Sequence, residues 1–185
     1  MPPRIGPYRA ALEEIGAALD ALDEGGFAAF VQAIASARRI ALYGVGREGL
    51  AIKGFAMRLF HLGLDVSMVG DMTTPPIGPG DLLVVSAGPG GFSTVNGLMG
   101  VARAAGARIA LVTANPGGSA ARLADTVLVV PAQTMANDVG GHSVLPMGSL
   151  FEGAEFILFE MAVMALAERL HIDAGAMRAR HTNLE

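Results

Sequence analysis

The chain has 185 residues, of which 52% are hydrophobic and 16% charged, and it carries a formal net charge of -4 and no cysteine. An acidic chain without a Lys- or Arg-rich block lacks the electrostatic footprint expected for binding nucleic acid or an anionic membrane. The lack of cysteine excludes a disulfide framework, a thiolate nucleophile and a thiolate metal site.

The length predicts a single domain over residues 1–185. We expect a helical extension over residues 1–37, an α/β core over 38–170 and a tail over 171–185. Because only 5% of the residues are aromatic, burial must come from aliphatic side chains, and their excess predicts contacts with other subunits. The amino terminus carries no apolar stretch of signal-peptide length, so we expect a cytoplasmic protein.

The first 35 residues predict a helical hairpin. Apolar residues recur at helical spacing in two groups, and Gly25-Gly26 interrupts the pattern between them. The first group is Tyr8, Leu12, Ile15, Leu19 and Leu22, and the second is Phe27, Phe30, Val31 and Ile34.

From residue 38 onward, apolar strand-like runs alternate with helical patterns, which predicts a parallel sheet with right-handed crossovers. A continuous run such as Leu82 to Val85 indicates burial on both faces of the sheet. The predicted strands are Arg39–Tyr43, Asp65–Val69, Asp81–Ser86, Arg108–Thr113 and Thr126–Val130. The predicted helices are Glu48–Leu62, Ser93–Ala105, Ser119–Ala124 and Leu150–Leu170.

Two segments of the second half stand out. Residues Pro131 to Gly148 show no periodicity, and a stretch of this length suggests a functional loop or lid. The longest apolar stretch runs from Phe156 to Ala167 but is interrupted by Glu160. It is therefore too short for a membrane span and predicts a buried helix.

The glycine turn Gly44-Val45-Gly46-Arg47-Glu48-Gly49 follows a predicted strand and opens a predicted helix. Its amides could point at an anion, which predicts a ligand site at the strand ends. With Asp71 near the end of the second strand, the spacing also satisfies the dinucleotide fingerprint. A second interpretation is a tight turn that requires glycine for steric reasons alone.

A second glycine-rich turn, Ser86 to Thr94, follows the third strand. In a doubly wound sheet it lies near the first turn, where ligands bind across the topological switch point. The alternative is a flexible loop in which Ser93 or Thr94 caps the following helix. Asn115-Pro116 after the fourth strand indicates turn and cap chemistry.

Two further residues each allow a structural and a catalytic interpretation. His61 falls in the last turn of a predicted helix before Gly63, where a histidine commonly complements the helix dipole. Glu152 stands three residues after Ser149, which is the spacing of a capping box. The remaining histidines show no ligand spacing, so we predict no metal site; they are His142, His171 and His181.

Several segments together resemble the 6-phospho-3-hexuloisomerase family, within the sugar isomerase (SIS) domain superfamily. They occur in the order of that family across nearly the whole chain. The segments are Gly44-Val45-Gly46-Arg47, Phe55 to Gly63, Thr73-Thr74-Pro75, Gly148 to Glu152 and the tail Arg180 to Glu185.

The resemblance implies a three-layer sandwich with a five-stranded parallel sheet of flavodoxin-like topology. It also implies a homotetramer with shared active sites, and no metal or organic cofactor. The implied reaction moves a carbonyl between C3 and C2 of a ketose phosphate through an enediol, with Glu152 as the acid/base shuttle and His61 assisting. The implied substrate-binding residues are Gly46, Arg47, Glu48, Ser86, Gly88, Gly91, Ser93 and Thr94.

The chain departs from the family pattern at the phosphate-binding turns. Glu48 replaces a serine, and the second turn keeps only Ser86 of its serines. A carboxylate opposes a phosphate dianion unless Arg47 or Lys53 neutralises it. Either loop amides with Ser93 and Thr94 form an anion nest, or the ligand is unphosphorylated and Glu48 accepts hydrogen bonds from sugar hydroxyls or pairs with a cation.

Three functions follow in order of preference. The first is a sugar-phosphate isomerase of this kind, and the second is a non-catalytic SIS-type module that binds a sugar derivative as a sensor. The third is a nicotinamide-dinucleotide-binding protein, which rests on the glycine spacing and Asp71 alone.

Overall fold

A computed structural model describes residues 6–140 and 143–184 of the chain. It contains one sheet of five parallel strands in the order β2-β1-β3-β4-β5, the predicted flavodoxin-like arrangement. The strands are β1 (Ile40–Gly44), β2 (Val66–Met68), β3 (Leu82–Ser86), β4 (Arg108–Thr113) and β5 (Thr126–Val129). The helices are α1 (Pro7–Asp20), α2 (Glu24–Ala35), α3 (Gly46–His61), α4 (Ser93–Ala104), α5 (Ser149–Arg169) and α6 (Ala174–Ala179).

Helices cover both faces of the sheet, which confirms the predicted three layers. Leu82 and Val84 of β3 face a core formed with α1, α2, α3 and α5. Leu83 and Val85 face the opposite core, formed mainly with α4. Because side chains alternate along a strand, a continuous apolar run is what a sheet buried on both sides requires.

The helical hairpin is confirmed, but its break is not at Gly25-Gly26. Helix α2 begins at Glu24, so both glycines lie in its first turn. The side chain of Asp23 accepts a hydrogen bond from the Gly26 amide at 2.6 Å and thereby caps the helix. The chain reverses direction just before this aspartate.

Two other predicted elements differ from the structure. The predicted helix Ser119–Ala124 is a single 3₁₀ turn, Ala121–Leu123. The predicted tail contains α6, which Asp173 caps by accepting the Ala176 amide at 2.7 Å. Both elements are shorter than two helical turns, so they carry little periodicity.

The apolar stretch from Phe156 to Ala167 lies within α5 but is buried on one face only. Leu158 and Phe159 are buried, whereas Phe156 is 56% exposed and Met164 63% exposed. The predicted buried helix is therefore confirmed for the inner face, whereas its outer apolar face is exposed in the single chain. In the part of the chain that the structure describes, no helix is long and apolar enough to cross a membrane.

The sheet order creates a switch point between β1 and β3. These neighbouring strands pair in register, with Gly44 opposite Ser86. The helices that follow them, α3 and α4, pack on opposite faces. The two glycine-rich turns consequently meet at the carboxyl edge of the sheet, where open α/β sheets bind ligands. Sequence predictions at residues 1–5, Gly141, His142 and Glu185 lie outside the described residues.

Candidate active site at the strand ends

The first glycine turn brings helix α3 into backbone contact with strand β1. A Cβ atom at Gly49 would lie 2.5 Å from the carbonyl oxygen of Gly44, and one at Gly44 would lie 2.9 Å from the Gly49 nitrogen. Gly46 adopts φ 60°, which favours glycine. Glycine spacing is thus explained by a tight turn, and the turn directs Glu48 toward the end of β3.

Glu48 lies at the floor of the site and is 6% exposed. Its Oε2 atom accepts hydrogen bonds from the Ser86 hydroxyl at 2.6 Å and from the Gly88 amide at 3.0 Å. Burial raises the pKa of the Glu48 carboxyl, and these two hydrogen bonds oppose the rise because they favour the charged form. The charge of Glu152 adds to the rise.

Gly88 fits closely between this carboxylate and helix α5. A Cβ atom there would lie 2.9 Å from Cδ1 of Phe151 and 3.2 Å from Oε1 of Glu48. A larger residue would displace one of them. The turn therefore has glycine rather than a second serine at position 88, next to the space that the Glu48 carboxylate occupies.

Arg47 holds the other acidic side chain of the site. Its Nε lies 2.9 Å from Oε2 of Glu152, and its Nη atoms donate to the Ser149 hydroxyl at 2.8 Å and the Met147 carbonyl at 2.6 Å. Burial raises the pKa of Glu152, and the charge of Arg47 opposes that rise. Glu152 is therefore a partly buried carboxylate with a fixed counter-ion.

The predicted capping box at Ser149 and Glu152 is wrong. The N-cap of α5 is Gly148, at φ 81°, and no side chain caps the helix. Ser149 is already inside the helix, and both side chains of the expected box are bonded to Arg47 instead. The position before the glycine, Met147, is left-handed at φ 56°, a conformation that is rare outside glycine and clusters at functional sites.

A cavity of about 250 Å³ opens above these groups. Because ligand pockets commonly measure about 300–1,000 Å³, a cavity of this size suits a small ligand better than a dinucleotide. Asp71 and Lys53 are exposed and do not line it. The lining residues are Val45, Gly46, Arg47, Glu48, Pro89, Phe92, Thr134, Met135, Met147, Gly148, Phe151 and Glu152.

The structure unites only part of the predicted binding set. Gly46, Arg47, Glu48 and Glu152 line the cavity, and Ser86 and Gly88 join it through Glu48. The remaining three do not line it: Gly91 packs against Ser119, and Ser93 and Thr94 are exposed on α4.

The second turn supplies apolar lining in their place. Pro89 and Phe92 line the cavity. Neither residue was predicted from the sequence, because neither has a polar side chain that would indicate ligand binding. Phe92 is also the N-cap of α4, with no side-chain hydrogen bond, so the predicted cap at Ser93 or Thr94 is wrong. Beside it, Asn115 accepts the Gly117 amide at 3.1 Å, which confirms the predicted turn.

His61 lies at the opposite end of α3 from the cavity. The helix ends there as predicted, with Gly63 at φ 87° and the Gly63 amide donating to the Phe60 carbonyl at 2.8 Å. The ring of His61 is buried and stacks on that of His181 at a centroid distance of 5.2 Å. His61 lies thirteen positions after Glu48 in the helix, which is roughly 20 Å along the axis.

Comparison with known proteins agrees with this architecture. Residues 33–147, more than half of the chain, match the SIS domain family. The chain belongs to the SIS domain family. A 3-hexulose-6-phosphate isomerase from Mycobacterium gastri is 39% identical over 94% of this chain and 87% of its own length. One from Bacillus subtilis is 33% identical over 82% of this chain and 83% of its own.

A solved structure from Methanococcus jannaschii resembles the whole SIS domain described above. It has a TM-score of 0.82 and 27% identity, and the match covers 94% of this chain and 98% of that one. Its description infers a molecular function of 3-hexulose-6-phosphate isomerase for that protein.

The SIS domain of this chain contains one acidic residue at the site that the sequence did not single out. Glu155 lies on α5 one turn beyond Glu152 and is fully buried. Neither of its carboxyl oxygens has a hydrogen-bond partner among the described residues. Burial raises the pKa of Glu155 well above its usual value, and the charges of Glu48 and Glu152 add to the rise.

An acidic residue three positions after Glu152 in an apolar helix was a visible signal. The burial of the Glu155 side chain could not be predicted from the sequence, because it depends on how α5 is rotated against the sheet. In residues 6–140 and 143–184, no group of three or more His, Asp or Glu side chains is placed to hold a metal ion.

Proposed function

We propose that this SIS-domain protein is an isomerase that moves the carbonyl of a hexulose phosphate between C3 and C2. The observation that carries the proposal is Glu152, a partly buried carboxylate held by Arg47 at the wall of a small strand-end cavity. The matches to relatives named 3-hexulose-6-phosphate isomerase over most of the chain support the same reaction.

The chemistry requires one carbon-bound proton to move. A base removes the proton from C2 of the 3-ketose to form a 2,3-enediolate, and the same group returns a proton to C3 while the O2 proton passes to O3. Glu152 serves as this base. Burial raises the pKa of Glu152, which makes its carboxylate a stronger base. A pKa nearer to neutral pH also suits the return step, in which the same group acts as an acid. Arg47 keeps its carboxylate oriented.

The test is turnover by Glu152→Gln. Removing the acid/base group is expected to lower kcat by about 10²–10⁴-fold, measured by NMR as interconversion of 3-hexulose and 2-hexulose 6-phosphates. Glu168→Gln is the matched control, because it makes the same change on the same helix at an exposed residue that lines neither cavity. Normal turnover by Glu152→Gln would show that another group is the base.

A non-catalytic sugar-binding module is the second candidate. The carboxylate of Glu48 beside the strand ends favours it, because this group departs from a phosphate-binding turn. A panel of sugars and sugar phosphates, read by thermal shift and by turnover, separates the two functions. Binding without turnover favours the module. Stabilisation by millimolar NAD would instead revive the nicotinamide alternative.

We also propose that the protein is a single-domain homotetramer whose active sites take residues from two subunits. Large apolar side chains are exposed in groups of two or more on α1, α3 and α5, which suits burial between chains. They are Tyr8 and Leu12 on α1, Leu50, Met57 and Phe60 on α3, and Phe156, Met161 and Met164 on α5. A lack of cysteine also fits the reducing cytoplasm, the location we propose.

Shared sites would explain the position of His61. The histidine and Glu152 face different cavities of one chain, and the cavity beside His61 is lined by Arg58, Arg178 and His181. In an oligomer, the His61 end of one α3 is expected to complete the Glu152 site of a neighbour. A monomer in light scattering at micromolar concentration would contradict this arrangement.

A further inference from the structure

The carboxylate of Glu48 occupies the floor of the strand-end cavity. We call the place where it accepts hydrogen bonds from Ser86 and Gly88 the anion position. The Ser86 hydroxyl and the Gly88 amide both donate to one oxygen, Oε2 of Glu48. A hydroxyl has a single proton to donate, and so has a backbone amide. While Glu48 is in place, neither group can donate a hydrogen bond to a ligand anion at the ends of β1 and β3.

The charges of the lining reinforce this conclusion. Among the described lining residues, the charged ones are Arg47, Glu48 and Glu152. Arg47 is bonded to Glu152, Ser149 and the Met147 carbonyl. A phosphate dianion at the floor would therefore approach Glu48 without an uncommitted cation, and like charges at about 4–6 Å oppose each other strongly in a partly desolvated site.

Glu155 lies behind this floor and is best accommodated as a neutral acid. It is fully buried, and its two oxygens find no donor among the described residues. Ser86 donates its proton to Glu48 but retains lone pairs, so its hydroxyl can accept a hydrogen bond from a protonated Glu155 and cannot donate one to it. An ionised Glu155 would have no hydrogen-bond donor among the described residues. It would also place a third negative charge beside Glu48 and Glu152.

The remaining oxygen of Glu48 is the one available to a ligand. Oε1 has no hydrogen-bond partner among the described residues, and Glu48 lines the cavity. A carboxylate oxygen only accepts hydrogen bonds. The group that it selects is a donor, and on a sugar that donor is a hydroxyl.

We propose that Glu48, backed by neutral Glu155, is a specificity-determining residue that occupies the anion position and accepts a hydrogen bond from a sugar hydroxyl. This inference rests on the proposed isomerase function and deepens it by assigning the end of the sugar that meets the floor. A phosphorylated substrate binds with its phosphate away from Ser86 and Gly88. An unphosphorylated hexulose makes the same contact with Glu48.

The experiment titrates inorganic phosphate into the protein by isothermal calorimetry and needs no turnover. Glu48→Ser frees both floor donors and removes the charge, so it is expected to bind phosphate at least about tenfold more tightly than the wild type. Glu48→Gln removes the charge but keeps the shape, and a smaller gain is expected. Glu168→Gln makes the same change in net charge at an exposed residue of α5 and is expected to leave the affinity unchanged.

Two further readouts complete the test. Glu155→Gln is expected to keep the wild-type phosphate affinity, because one neutral group replaces another; a tenfold gain would show that Glu155 is charged and overturn its assigned role. In Glu48→Ser, the ratio of kcat/KM for a phosphorylated hexulose to that for the unphosphorylated one is expected to rise about tenfold.

The outcomes separate this inference from the proposed function. Equal phosphate affinities in the wild type, Glu48→Ser and Glu48→Gln overturn the inference, whatever the turnover. No interconversion of either hexulose by the wild type overturns the isomerase function. In that case a tighter phosphate complex of Glu48→Ser still supports the role of Glu48 as the occupant of the anion position.

Discussion

The two ends of helix α3 carry different chemistry. At the amino end, Arg47 and Glu48 join Glu152 around a cavity at the carboxyl edge of the sheet. At the carboxyl end, His61 stacks on His181 beside a separate cavity. The family resemblance assigns Arg47 and Glu48 to substrate binding and both Glu152 and His61 to catalysis, yet one chain brings only the group at the amino end to the strand ends.

The difference teaches that membership of one helix does not mean membership of one site. A helix presents its ends to different surroundings, here roughly 20 Å apart. The amino end gains its partners from within the chain. The carboxyl end gains a catalytic partner only if a second subunit supplies one, so the comparison can be tested by mixing chains.

The largest expected effect comes from mixed oligomers of Glu152→Gln and His61→Asn. Each variant alone is expected to lose at least about 10²-fold in kcat. In random mixed assemblies, roughly a quarter of the sites regain both residues from different chains, so activity recovers to about that fraction. NMR turnover measures it, and native mass spectrometry verifies mixing. Verified mixed oligomers without recovery would show that the two ends of α3 do not share a site.

A smaller effect is expected from Gly49→Ala at the amino end. The new methyl group would meet the Gly44 carbonyl at 2.5 Å, and a backbone contact cannot move aside as a side chain does. The free energy of unfolding is expected to fall by about 1–3 kcal/mol in urea denaturation. Gly97→Ala is the control, because that exposed α4 glycine has open space and the substitution is expected to stabilise by about 0.5–1 kcal/mol. Equal stabilities would contradict the tight contact.

The most gradual effect concerns Glu155, because it accumulates with pH. Since the pKa of Glu155 is raised in the folded state, folding retains a proton that the unfolded chain loses above about 4.5. Wild-type stability is therefore expected to fall relative to Glu155→Gln as pH rises from that value toward the folded pKa, by up to about 1.4 kcal/mol per pH unit. Urea denaturation at several pH values measures the difference. Parallel curves would mean that Glu155 ionises normally.

Much of the fold was predictable because the apolar pattern is strong. Strand β4 has the bounds expected from its run of apolar residues, Arg108–Thr113. The short elements escaped because six residues or fewer contain too little periodicity, and α6 is an example. Its cap, Asp173, was the one local signal present.

The location of the site was also predictable, but its internal bonds were not. Parallel strands bring Gly44 and Ser86 to one edge, so the two turns had to meet. That Arg47 takes Ser149 away from its expected capping role depends on a contact across 102 residues of chain. No local pattern encodes such a contact, and the same holds for the depth of Glu155. The distance between His61 and Glu48 was predictable, because the two residues are thirteen positions apart in one predicted helix.

The contact between Gly44 and Gly49 limits the routes by which this protein can change its ligand. Any side chain at either position collides with the opposing backbone, so substitution there damages the fold before it alters recognition. Position 48 lies between them and directs its side chain at the floor. A substitution at residue 48 alone is therefore expected to change the ligand preference, while the backbone that carries this residue stays the same.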